Sequence, residues 1–144
     1  LTKDILVQYC DLREEVKDIR RRVEKYENEI QRIEDERYVA DSVTGGYGGI
    51  QHYTIKGFPY PDYSRKKTRL YLNKAQLENA EPELLDMTNQ VEEYIQSIDD
   101  SRIRRILRYR YIDDMPWNEV AMNMGGKKTT ADSVRMEHNR YLNI

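Results

Sequence analysis

The feature that most restricts the fold of this chain is a run of apolar residues spaced alternately by four and three. Ile5, Tyr9, Leu12, Val16, Ile19, Val23, Tyr26, Ile30 and Ile33 keep this spacing without a lapse, and Arg, Lys, Glu and Asp fill most positions between them. A mean step of 3.5 residues lays all of these side chains along one seam of an α-helix. No glycine or proline occurs before Gly45, so a helix is predicted over residues 1–41. A helix of ~36 residues spans ~54 Å, longer than one small core can cover. The seam therefore demands a partner helix.

The partner is found further along. Leu70, Leu77, Ala80, Leu84, Met87, Val91, Tyr94 and Ile98, with Asn73 at the one polar seam position, repeat the same alternation and predict a helix over residues 64–98. Two such helices joined by a loop form an antiparallel hairpin, although a coiled coil between chains produces the same pattern. Leu6, Leu72 and Ile95 fall off the seam and could build a second one, which makes a homodimer through the hairpin an open reading. Pro82 lacks an N–H and crowds the preceding turn, so a kink or short break is predicted near 79–82. Asn73 is placed to fix register at some cost in stability. The cluster Arg65, Lys66, Lys67 and Arg69 at the head of this helix could meet phosphate, but a solvated charged face is the preferred reading.

Between the helices, residues 42–63 hold five of the seven glycines and two of the four prolines. Tyr47, Tyr53, Phe58, Tyr60 and Tyr63 interleave with them, and Ile50–Ile55 has the pattern of a short strand. A connecting loop is preferred over an aromatic stacking surface for this stretch.

The last third has a different grain. Asp99, Asp100 and Ser101 can cap a first short helix, whose apolar face carries Ile103, Ile106, Leu107 and Tyr111. Pro116 fits a helix start, with Asp113 or Asp114 before it as cap. Trp117, Val120, Ala121 and Met124 recur at helical spacing until Gly125. Thr129 or Thr130 can cap the next helix, whose inward face carries Ala131, Val134, His138 and Tyr141. A helix, a tight glycine turn and a helix make the helix-turn-helix pattern, in which the second helix enters the major groove of DNA.

Charge agrees with this division. Residues 101–144 hold nine Lys/Arg against five Asp/Glu, whereas residues 1–100 hold fifteen against twenty-one, giving +4 and −6 within a net −2. A basic module on an acidic stalk is a nucleic-acid footprint that the net charge hides. Mean hydropathy is −0.93 and charged residues make up 35%, which suits long exposed helices better than a compact α/β enzyme. The single cysteine, Cys10, excludes an internal disulfide framework and a cysteine-based zinc site. No apolar run approaches the ~20 residues of a membrane span. With no secretory leader in view, a soluble cytoplasmic protein is expected.

Arg110-Tyr111, Trp117, Glu119-Val120-Ala121, Met124-Gly125, Ser133-Val134-Arg135, His138 and Tyr141-Leu142 together resemble region 4 of bacterial sigma factors, the module that reads the −35 promoter element. The turn is longer than the usual sigma-type turn, so contacts do not transfer by counting. With the hairpin in front of it, the whole chain resembles the phage transcriptional regulators of the ArpU/RinA type. The resemblance implies a late-gene activator in a bacterial host cell that meets host RNA polymerase.

The fold expected is all-α: a long antiparallel coiled-coil hairpin over 1–98, followed by a sigma-region-4-like helix-turn-helix domain over 99–144. The function expected is sequence-specific binding of double-stranded DNA. Arg pairs with guanine and Asn with adenine, while Ser and Thr serve base or backbone. N-terminal residues of a recognition helix reach the bases, which favours Thr130, Asp132, Ser133, Arg135 and Met136 as readers. Lys127, Lys128 and Thr129 in the turn suit phosphates, and Asn139 and Arg140 can reach either. Arg102, Arg104, Arg105, Arg108 and Arg110 could hold phosphates or pair with the acidic stalk. Trp117 and His138 read as packed residues, and His52 has no second metal ligand nearby. The sequence holds no catalytic constellation and no nucleotide-binding glycine loop, so neither an enzyme nor a cofactor is expected. Two other classes keep the same features: a coiled-coil adaptor that docks RNA polymerase or another protein, and a terminase-associated DNA-packaging subunit.

Overall fold

The computed structural model describes residues 2–44 and 59–144, with side chains described for 3–37 and 59–144. Every regular element among them is helical: α1 (Thr2–Thr44), α2 (Tyr60–Gln96), α3 (Ser101–Leu107), α4 (Trp117–Met124) and α5 (Ala131–Leu142). A π-helical turn, Arg108–Ile112, continues α3. None of the described helices is long and apolar enough to cross a membrane. The strand expected at Ile50–Ile55 lies outside the described residues, as do Tyr47, Tyr53 and Phe58. Tyr60 and Tyr63 do not belong to the loop; they form the first turn of α2.

The chain divides into two compact units, one of residues 15–81 and the other of residues 1–14 with 82–144. In the first, α1 packs on α2 in antiparallel sense. Glu27 meets Lys74 at 3.3 Å, Glu29 meets Lys66 at 3.4 Å, and the Tyr63 hydroxyl donates to Glu34 at 2.7 Å. Rising numbers on one helix thus meet falling numbers on the other. Val16, Ile19, Ile30, Ile33 and Leu70 are buried. Each fully buried aliphatic side chain contributes roughly 1.5–3 kcal/mol, whereas an exposed ion pair contributes about 0–1. The apolar seam therefore holds the unit and the charges select its register. Asn73 accepts from Arg22 Nε at 3.0 Å, a use of the polar seam position consistent with register. Three of the four cations at 65–69 are engaged within the hairpin: Lys66 lies between Glu29 and Asp62, Lys67 lies over the Tyr63 ring, and Arg65 bonds the Pro61 carbonyl.

Pro82 does not break α2, which is helical from Tyr60 to Gln96 with the proline inside it. The carbonyl that loses its donor is that of Glu78. Glu78, Glu81 and Pro82 are all exposed, an environment in which solvent can satisfy a carbonyl that has lost its donor.

In the second unit, Leu6 and Tyr9 of α1, Val91 and Ile95 of α2, Ile98, Leu107 and Tyr111 form one buried cluster. Leu6 and Ile95, read from spacing as a possible second seam, are consumed in this core; Leu72 is exposed. A second cluster joins α3, α4 and α5 through Ile106, Val120, Ala121, Met124 and Val134. Asp100 caps α3 by accepting from the Arg102 and Ile103 amides. Arg104 binds the carbonyls of Ile98 and Asp99, and Arg108 binds the Gln96 side chain. These cations lie where the carbonyls after α2 need donors.

Candidate nucleic-acid interface

Local chemistry builds the α4–turn–α5 segment. Val120, Ala121 and Met124 bury one face of α4, and Gly125 ends it at φ 75°. Gly126 follows at φ 97°, and a Cβ there would lie 3.1 Å from Thr129 Oγ1. Two successive positive φ values suit glycine and strain any other residue. Thr130 then starts α5 with a reciprocal cap: its Oγ1 accepts from the Ser133 amide at 3.0 Å, and Ser133 Oγ accepts from the Thr130 amide at 2.9 Å. The cap expected before α4 is different. Neither Asp113 nor Asp114 supplies it; Pro116 is the capping residue and makes no side-chain bond. Asp114 instead turns the chain at φ 55° and pairs with Arg13 of α1 at 2.9 Å. Arg13 also donates to the Tyr111 carbonyl. The turn between α3 and α4 is thus anchored on α1.

Beneath α5 lies a small polar core. His138 is buried, its Nε2 2.6 Å from the Tyr111 hydroxyl and its Nδ1 2.8 Å from Asn139 Oδ1. The amide oxygen can only accept, which assigns the proton to Nδ1 and leaves Nε2 to accept from Tyr111. Burial pulls the His138 pKa below its ordinary 6.5, helped by Arg110, and burial pushes Tyr111 up to about 12. The Trp117 ring stands edge-on to His138 at 4.8 Å, with the Arg110 guanidinium 4.5 Å from its centre. Tyr141 does not join this inward face. It is exposed, and Leu142 packs inward against the Leu6 cluster instead, because the start of α1 supplies apolar partners at that end of α5.

The ten residues expected to meet DNA divide by what else they do. Lys127 and Lys128 are exposed in the turn, and Asp132, Arg135, Met136 and Arg140 are exposed along α5. Arg135 lies 3.5 Å from Asp132. Thr130 and Ser133 are engaged in the cap, Thr129 is half-buried beside Gly126, and Asn139 Oδ1 is held by His138. Among the described residues, the arginines of α3 and its π turn make no ion pair with a carboxylate of the hairpin; Arg104 and Arg108 reach it only through the Ile98 carbonyl and the Gln96 side chain. Arg102 grips Glu137 of α5 through two bonds of 2.8 and 2.9 Å and holds that carboxyl below its ordinary pKa. Arg105 binds the Asn123 carbonyl and Arg110 that of Met115.

Asn118 and Met122 escaped sequence reasoning. With Gly125, Gly126, Thr129 and Thr130 they line an open groove of about 500 Å³ between α4 and the start of α5. Their spacing of four on the face of α4 away from Val120 was the available signal. Comparison of the chain with protein-family models, with curated proteins and with solved structures finds no match.

Proposed function

We propose that this chain is a sequence-specific double-stranded DNA-binding regulator of transcription. One observation carries the reading: α5 is held from behind by Val134, His138 and Arg102, while Asp132, Arg135, Met136 and Arg140 face outward and Lys127 and Lys128 stand at its start. Exposed side chains of mixed chemistry on a rigid helix are what base-edge readout requires. Lysines at a helix N-terminus suit phosphate. In this reading the open groove beside the two glycines receives the sugar–phosphate strand. In this reading Arg135 takes a guanine edge, oriented by Asp132, and Met136 meets a thymine methyl group. The role of a phage late-gene activator that contacts host RNA polymerase belongs to the same proposal and rests on the sigma-region-4 resemblance.

A titration on random and late-promoter duplexes over a series of salt concentrations tests it. Arg135→Ala should cost about 1–3 kcal/mol on the preferred sequence and relax the choice of one base pair. Replacing Lys127 and Lys128 by alanine should weaken all duplexes alike and flatten the salt dependence, by about 0.9 in slope for each phosphate that is no longer neutralised. Weak binding that ignores both changes would move the search to protein partners.

A further inference from the structure

The first turns of α1 leave one face uncovered. Val7 is 52% exposed, although its neighbour Leu6 is buried in the core. Val7 borders an apolar groove of about 180 Å³, walled by Leu6, Cys10, Tyr111, Leu142 and Ile144 and flanked by Lys3 and Asp11. Ile144 at the same groove is 60% exposed. Scattered single apolar residues on a surface are ordinary; two aliphatic side chains beside a shared recess form a patch. Lys3 and Asp11 lie four residues before and four after Val7, hence on its side of the helix. Both are exposed, and neither has an ion-pair partner among the described residues.

The arrangement is self-complementary. If two copies of α1 cross in antiparallel sense on a two-fold axis at Val7, residues equidistant from Val7 face each other. Lys3 then faces Asp11 of the second copy, Asp11 faces Lys3, and valine meets valine. A parallel pairing would set Lys3 on Lys3 and Asp11 on Asp11. We propose that this face of α1 is an antiparallel two-fold interface with a second copy of this chain. The patch is smaller than permanent interfaces bury, so the dimer is reversible, and its charged ends make it weaken as salt rises. The dimer requires no DNA.

Sedimentation equilibrium of the full chain at low ionic strength, over a concentration series, tests it. The samples are the wild type, Lys3→Glu, Asp11→Lys and an equimolar mixture of those two variants. All three side-chain positions are exposed, so folding is retained, and circular dichroism checks that. The wild type associates as concentration rises. Each variant alone sets two like-charge pairs across the axis and weakens the dimer by about tenfold. The mixture sets opposite charges at both ends again and recovers association close to the wild type; Val7→Asp abolishes it. A wild type that stays monomeric throughout overturns the proposal and assigns the face to a different partner. Variants that associate as well as the wild type, or a mixture no better than its components, overturn it equally.

Discussion

His138 shows how one side chain links stability to pH in this fold. Its imidazole is neutral, buried, and bonded at both nitrogens to Tyr111 and Asn139. Because burial lowers its pKa in the folded state, the unfolded chain takes up a proton first as pH falls. The stability tied to neutral His138 is therefore fully present above about pH 6.5 and declines as pH falls from there through the lowered folded value. Chemical denaturation at a series of pH values checks this: the wild type should lose stability below pH 6.5, and His138→Gln should lack that component. The same substitution should cost about 1–3 kcal/mol at neutral pH if it leaves the Tyr111 hydroxyl without a partner. A variant whose stability follows pH as the wild type does would assign the dependence to other groups.

At the scale of elements, α2 and the extension of α3 each depart from simple helical expectation. Pro82 removes one backbone hydrogen bond from α2, yet the helix continues at a stretch where Glu78, Glu81 and Pro82 are all exposed. Pro82→Ala should therefore restore the bond to Glu78 and raise stability, by up to about 3 kcal/mol. Thermal unfolding of the two forms measures it, and an unchanged or lower midpoint would show that proline serves this helix in another way. The π-helical turn Arg108–Ile112 closes with a bond from the Asp113 amide to the Arg108 carbonyl at 3.0 Å. Such a turn adds a residue to the hydrogen-bonded ring and redirects the chain downstream of it. Here Tyr111 comes to lie in the core and Arg110 over Trp117. Heptad counting has no means to foresee it, since the side-chain spacing around it still reads as a helix.

At the scale of the whole molecule, the packing boundary differs from the one read by element. A division into 1–98 and 99–144 follows the change from long helices to short ones. The compact unit formed by 82–144 and 1–14 follows burial instead. Leu107 and Tyr111 are covered by Leu6, Tyr9, Val91 and Ile95, and Arg13 anchors the turn that leads to α4. A fragment of residues 99–144 alone should thus expose these side chains, bind a hydrophobic dye and lose near-ultraviolet dichroism while keeping helix. Adding residues 82–98 and 1–14 back within the full chain removes the dye binding. A fragment that unfolds cooperatively with no dye binding would make 99–144 self-sufficient.

What the amino-acid sequence determined by itself was whatever depends on local periodicity. The seam Tyr9, Leu12, Val16, Ile19 predicts buried positions because a helix repeats its faces regardless of what lies opposite. The ends of α3 at Asp100, of α4 at Gly125 and of α5 at Thr130 were legible for the same reason: caps answer to backbone groups a few residues away. The candidate interface was legible as far as the exposed face of α5, because burying Val134 and His138 leaves Arg135 and Met136 outside. Tertiary structure decided everything that needed a distant neighbour. It committed Leu6 and Ile95 to this chain's own core, turned Tyr141 outward in favour of Leu142, and gave Asp114 to Arg13 rather than to a helix start. Spacing ranks the positions along one helix. Only the arrival of another element decides which of them meets a partner and which meets water.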